Sequence, residues 1–293
     1  MHRPESEALD KHVGEQRYKR TTLKRFMENK PAMAGWAFVV FIGIIVLLTP
    51  VIAPYSYEEQ NLEEQYQGPS LKHWMGTDSK GRDLMTRVMY GGRISLAVGL
   101  AGAAVSLIIG VTYGSIAGFK GGRTDNIMMR AVDILYGLPF IFFVILVMTV
   151  VGRSIYVLFI ALGAVQWLTM ARIVRGQTIM LKEREFVEAA RALGASNARI
   201  IVYHLLPNLI GPIIVYATLT IPSVMLEEAF LSFLGLGVQP PASSWGSLAA
   251  DGMIHITPVK TDWWLVVFPG MTLAATLFAL NLLGDGLRDA LET

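Results

Sequence analysis

The chain of 293 residues is 53% hydrophobic and 16% charged, with a mean hydropathy of +0.47, which is too apolar for a water-soluble domain and ordinary for a protein that crosses a membrane several times. It has no cysteine, which excludes disulfides and thiolate metal or redox centres. The net charge of +2, the difference between 25 basic and 23 acidic residues, gives no electrostatic ground for a nucleic-acid partner.

In chain order, residues 1–32 form a polar lead carrying Arg3, Lys11, Arg17, Lys19, Arg20, Lys24, Arg25 and Lys30. The lead is too long, and the apolar segment after it too wide, for a cleaved signal peptide. An uncleaved cytoplasmic tail followed by a membrane anchor is expected. Six apolar segments qualify as spans, because a helix rising about 1.5 Å per residue needs roughly 20 residues to cross about 30 Å of hydrocarbon. They are approximately Met33–Ala53, Ile94–Phe119, Ala131–Gly152, Ile155–Ala171, Leu209–Leu226 and Trp264–Gly284. This predicts an all-α polytopic membrane protein with six transmembrane helices. The first helix stands apart from a core domain over residues 94–293.

With the tail inside, eighteen of the 25 basic residues fall on the cytoplasmic side, as the positive-inside rule requires, and both termini are cytoplasmic. The loops at 54–93 and 227–263 are then extracytoplasmic, and the loop at 172–208 is cytoplasmic. Five of the seven outside basic residues, Lys72, Lys80, Arg82, Arg87 and Arg93, share the first loop with Glu58, Glu59, Glu63, Glu64, Asp78 and Asp83. In that loop Asp78 and the Gly81-Arg82-Asp83 turn can cap a short helix running to Tyr90. Gly99, Ala103, Ser106, Gly110 and Gly114 recur at helical spacing in the second span, which is therefore expected at the centre of the bundle. Pro139 is expected to kink the third span. The fourth and fifth segments are short, and Pro212 and Pro222 place the fifth among neighbouring helices. Glu227 and Glu228 close that span, either facing a translocation path or pairing with Arg82, Arg87 or Arg93. His73 and His255 stand alone without ligand spacing, so no metal site is expected.

Between the fourth and fifth spans the chain is charged. Residues 181–193 read as an amphipathic helix with Arg184, Glu185, Glu188 and Arg191 on one side and Phe186, Ala189, Ala190 and Leu193 on the other. Arg184–Glu188 and Glu188–Arg191 are spaced to pair along it. Gly194 is a natural left-handed cap, Ser196 can start a second helix over residues 197–206, and Pro207 is expected to end it. A helix resting on lipid headgroups would carry Leu, Phe and Trp on its apolar side. An alanine face ringed by charge suits docking into a groove of another protein.

Glu188-Ala189-Ala190, with Gly194 and then Leu206-Pro207, resembles the signature loop of permease subunits in ATP-binding-cassette (ABC) importers. Longer blocks, FMENKPAMAG from Phe26, GTDSKGRDLMTRVMYGGRISL from Gly76, LSFLGLGVQPPASSWG from Leu231 and GDGLRDAL from Gly284, resemble the second permease of the dipeptide, oligopeptide and nickel branch. The resemblance implies the type I ABC importer permease fold in a cell inner membrane. It implies that Glu185, Glu188, Ala189, Ala190, Leu193, Gly194, His204 and Pro207 belong to coupling helices docked on an ATPase. The implied partners are a second homologous permease, two ATPase subunits that bind ATP and Mg, an extracytoplasmic solute-binding protein and membrane lipid. Asp78, Arg82 and Asp83 would gate the outer mouth or meet the binding protein. Peptide import is implied, with nickel or glutathione as alternatives on the same architecture and an ion-coupled secondary transporter as an alternative of another class. No G-x-x-x-x-G-K-[ST] phosphate loop and no convergent catalytic set occurs, so the chain reads as a non-enzymatic subunit with no cofactor of its own.

Overall fold

The computed structural model describes residues 23–256 and 261–291. The tail before residue 23, with five of its basic residues, and Lys260 lie outside the described residues. Helix α1 spans Lys30–Ile52, started by Asn29, whose side chain accepts the Ala32 N–H. Helix α2 is Leu84–Lys120, α3 Gly122–Tyr136, α4 Phe140–Val150 and α5 Ile155–Leu181. Then come α6 (Glu185–Ala192), α7 (Asn197–Ile200), a π-helical turn (Ile201–Leu205), α8 (Leu206–Phe233), α9 (Trp245–Met253) and α10 (Trp264–Leu291). Among the described residues five helical stretches are long and apolar enough to cross a membrane, or six if α3 and α4, bent by 85° at their break, form one span. The chain is a multi-pass, all-helical membrane protein.

Four expectations are corrected by the structure. The second span begins at Leu84 rather than Ile94, because Asp83 of the expected capping turn accepts the Thr86 N–H, and Leu84, Val88 and Met89 are already buried; Asp78 takes no part in the cap. The short outer helix and the span are therefore one rod. The third span is broken, not kinked. Tyr136 ends α3, and Pro139, in an extended conformation, starts α4, since proline disfavours a helical residue before it. The fourth and fifth spans are long, at 27 and 28 residues. Pro207 does not end a helix. The preceding turn widens to π geometry, so the ring enters the first turn of α8 without breaking the rod from Asn197 to Phe233.

The glycine-rich α2 does occupy the centre. A Cβ on Gly110 would stand 2.6 Å from Met170 Cβ, and one on Gly118 2.7 Å from the Arg175 carbonyl, so α2 and α5 pack backbone to backbone. On its other side α2 meets α8, where a Cβ on Gly102 would fall 2.7 Å from Val224 Cγ1. Helix α1 lies against α10, with Asn29 Nδ2 donating to Asp289 Oδ2 at 3.3 Å. The bundle thus has two ends. One carries the 54–83 loop, the 234–244 loop and α9; the other carries α6, α7 and the π turn.

Candidate functional site

The predicted site residues divide between those two ends. At the α6 end the backbone obeys the sequence closely. Gly194 takes φ +80°, the Ala195 N–H reaches back to the Ala190 carbonyl at 3.0 Å, and the Gly194 N–H donates to Arg191 O at 2.9 Å, closing α6 in a left-handed cap. Ser196 Oγ accepts the Arg199 N–H and opens α7. Nothing lies within 4 Å of a Cβ placed on Gly194, so backbone strain alone penalises a side chain there. Gly194→Val is expected to cost about 1–2 kcal/mol locally through the left-handed penalty on a β-branched residue. In the importer that the resemblance implies, solute uptake should fall while membrane insertion, followed by fractionation, stays normal.

The facing of α6 differs from the expected one. Val187 and Ala190 turn inward and pack with Phe119, Ile200 and Leu205 in a small core under α2. Ala190 is 6% exposed, so it belongs to the support of the helix rather than to its outer face. Glu185, Phe186, Glu188 and Ala189 are exposed, and Leu193 stands 88% exposed at the elbow. The two charge pairs expected along the helix do not close. Arg184 occupies the N-cap position in an extended conformation, out of helical register with Glu188, and Arg191 lies 5.3 Å over the Phe119 ring. Glu185 and Glu188 consequently have no ion-pair partner among the described residues. His204 sits half-buried in the π turn, its carbonyl taking the Asn208 side-chain N–H at 2.6 Å, and Pro207 is exposed just beyond.

Two arginines of α5 and the lysine that caps its C-terminus, with roles missed from sequence, fix this end. Arg175 forks onto Asp125 with its Nε and Nη2 at 2.5 and 2.7 Å. Arg172 bonds Asp133 at 2.8 Å and stacks 4.2 Å over the Tyr136 ring, and Lys182 donates to the Gly118 carbonyl at 3.0 Å. Bidentate Arg–carboxylate pairs hold orientation as well as energy. Helix α5, which leads directly into α6, is thereby tied to α3 and to the end of α2.

At the opposite end Asp78 is the hub. Its carboxylate takes Arg82 Nε at 2.7 Å, Arg87 Nη1 at 2.5 Å and the backbone N–H groups of Lys80 and Arg82. Burial works to raise this carboxyl, but the Arg87 charge, the two N–H groups and the Arg82 charge together hold it below its ordinary value. Asp83 is not part of that cluster. Besides capping α2 it receives His73 Nδ1 at 3.0 Å, and His73 Nε2 lies 3.4 Å from Glu64, so a histidine read as solitary is buried between two carboxylates. Arg93 also stands apart, over the Tyr90 ring.

Glu227 and Glu228 pair with none of the three arginines. Glu228 is 1% exposed and accepts Ser232 Oγ and Ser244 Oγ, both at 2.7 Å, which ties the end of α8 to the start of α9. Glu227 accepts Gln166 Nε2 of α5 at 2.7 Å, and its second oxygen is buried without a partner. Ser232 is one helical turn from Glu228, but Ser244 and Gln166 lie 16 and 61 residues from their carboxylates, and no local pattern announces those two.

Comparison with known proteins places these features. Residues 110–293 match the family described as binding-protein-dependent transport system inner membrane component, and residues 18–69 match the N-terminal transmembrane domain of oligopeptide transport permease C. The chain is 48% identical over 271 residues to the oligopeptide transport system permease protein OppC of Haemophilus influenzae, covering 92% of this chain and 86% of that protein. It is 46% identical over 275 residues to the dipeptide transport system permease protein DppC of Bacillus subtilis, covering 94% and 85%. Among solved structures, an inward-facing MetNI methionine ABC transporter chain aligns with a TM-score of 0.57 at 18% identity, over 71% of this chain and 97% of that one, which shows a shared fold. A continuous central rod, a broken helix pair and a glycine-capped elbow on an apolar helical bundle, with these matches across nearly the whole length, make the chain a member of the family of binding-protein-dependent transport system inner membrane components.

Proposed function

We propose that the chain is the half-pore of an ATP-driven peptide importer in a cell inner membrane, with α6 docked on a cytoplasmic ATPase subunit. The observation that carries this reading is the outer face of α6. Glu185, Glu188, Ala189 and Leu193 are exposed on a helix whose inner face is anchored by Val187 and Ala190, so a rigid, partly acidic, small-residue surface projects from the bundle. Helix α5 runs into it at one side and the rod from Asn197 to Phe233 leaves at the other, so a displacement of α6 pulls on two spans at once. The arrangement suits a handle.

In this reading the α6 end faces the cytoplasm with both chain ends, and the Asp78 end faces outward, in agreement with the distribution of basic residues. A second homologous permease completes the pore, two ATPase subunits bind ATP and Mg and carry the hydrolysis, and an extracytoplasmic solute-binding protein delivers cargo. Identities of 46–48% to permeases named for oligopeptides and dipeptides favour peptides over nickel or glutathione. The test is uptake of labelled trialanine by proteoliposomes holding the complete transporter and its binding protein. Accumulation should require ATP inside and survive ionophores that collapse ion gradients. Accumulation driven by an ion gradient without ATP would contradict the proposal.

A further inference from the structure

A cavity of about 300 Å3 opens at the Asp78 end, between the loop that carries Asp78 and helix α9. That volume is at the lower end of small-molecule sites. Arg87, Ser243, Ser247, Asp251 and His255 supply polar wall, and Leu84, Val238, Leu248 and Leu265 supply apolar wall. Two of the polar groups are chemically incomplete. Arg87 is 6% exposed and spends Nη1 on Asp78, while its Nε has no hydrogen-bond partner. Asp251 is exposed on α9; the Arg87 and Arg82 charges act on it, but among the described residues no hydrogen bond or close ion pair reaches its carboxylate.

A buried guanidinium with unspent donors is costly to leave as it stands, so the wall is suited to a group that accepts at Arg87. Asp251, exposed at the rim, suits the opposite, a donor or a cation. A simple anion satisfies only the first and a metal ion only the second. The amino end of a free peptide carries both, a terminal ammonium and, one residue along, a backbone carbonyl, with a side chain for the apolar wall.

We propose that this cavity is a subsite for the amino end of a free peptide, with Asp251 holding the terminal ammonium and Arg87 the first carbonyl. The inference rests on the reading of the chain as a peptide-import permease with this end outward. It adds a point at which the permease itself contacts cargo outside the hydrocarbon, independently of the solute-binding protein.

The complete permease–ATPase complex in nanodiscs, without binding protein, is mixed with trialanine or N-acetyl-trialanine, and saturation-transfer NMR reads peptide binding. Trialanine should bind at least tenfold more tightly than its acetylated form. Asp251→Asn should bring trialanine down to the acetylated level, and co-purification with the ATPase verifies that the variant assembles. Equal trialanine binding by Asp251→Asn and the unaltered complex overturns the subsite. So does a complex that imports trialanine but does not bind it without the binding protein. If Asp251→Asn instead lowers uptake of both peptides equally and only through the binding protein, the cavity is part of a docking face and the subsite is wrong. A complex that imports no peptide at all overturns the import reading and the subsite with it.

Discussion

Ala189→Trp in α6 is expected to lower solute uptake at least tenfold in a chain that still folds and reaches the membrane. Ala189 is exposed and packs against none of the bundle's cores, so an indole there disturbs nothing inside the chain. What the indole meets decides the outcome. In a fitted groove of an ATPase subunit it overfills the contact and separates the two proteins, whereas on a lipid surface an aromatic strengthens attachment. The two surroundings therefore give effects of opposite sign. Glu188→Lys discriminates in the same way, because it inverts the charge offered to a protein groove but adds attraction to anionic lipid. Uptake should fall at least tenfold in both variants, with loss of the ATPase on co-purification. Ala190→Trp behaves differently. It overpacks the core of Phe119, Val187, Ile200 and Leu205, at a cost of about 1–3 kcal/mol, and so lowers the yield of folded chain as well.

Asp78→Ala should produce the largest loss of stability at the other end. The Asp78 carboxylate is the only acidic group bonded to either Arg82 or Arg87 among the described residues, and Arg87 is buried. Removing one partner of such a group leaves buried positive charge uncompensated, at about 3–5 kcal/mol. The double variant Asp78→Ala with Arg87→Met should recover part of that loss, because the buried charge leaves with its partner. Thermal unfolding in detergent, followed by tryptophan fluorescence, reads both; Trp264 reports locally through its hydrogen bond to the Thr77 carbonyl. The pH dependence has a definite sign. The folded carboxyl titrates below its ordinary value of 3.8, so its stabilisation is fully present above that value and is lost as pH falls through the lower folded one. The unaltered chain and Asp78→Ala should therefore converge in stability in strong acid and diverge towards neutral pH.

Elements governed by local chemistry were legible in the sequence. Apolar length located the spans, the small residues of α2 located the centre, and Gly194 with Ser196 defined the elbow down to the sign of φ. What escaped depends on partners distant along the chain. The inward face of α6 is set by Phe119, and the rigidity of α5 by Asp125 and Asp133, 50 and 39 residues from their arginines. The Glu228 carboxylate is satisfied by two serine hydroxyls rather than by the nearby arginines, because α9 brings Ser244 over the end of α8. Pro207 illustrates a different limit. A proline usually ends a helix, and only the widened turn over Ile201–Leu205 lets this one continue.

The chain's lack of cysteine makes one thiol at α6 a clean probe. Ala189→Cys in the complete transporter, treated with a short thiol-to-amine cross-linker in inside-out vesicles, should form a covalent product with the ATPase subunit. The same thiol should resist membrane-impermeant maleimide in intact cells. A thiol that is labelled from outside intact cells, or that yields no ATPase cross-link in a complex that imports solute, would contradict α6 as the cytoplasmic handle of the pore.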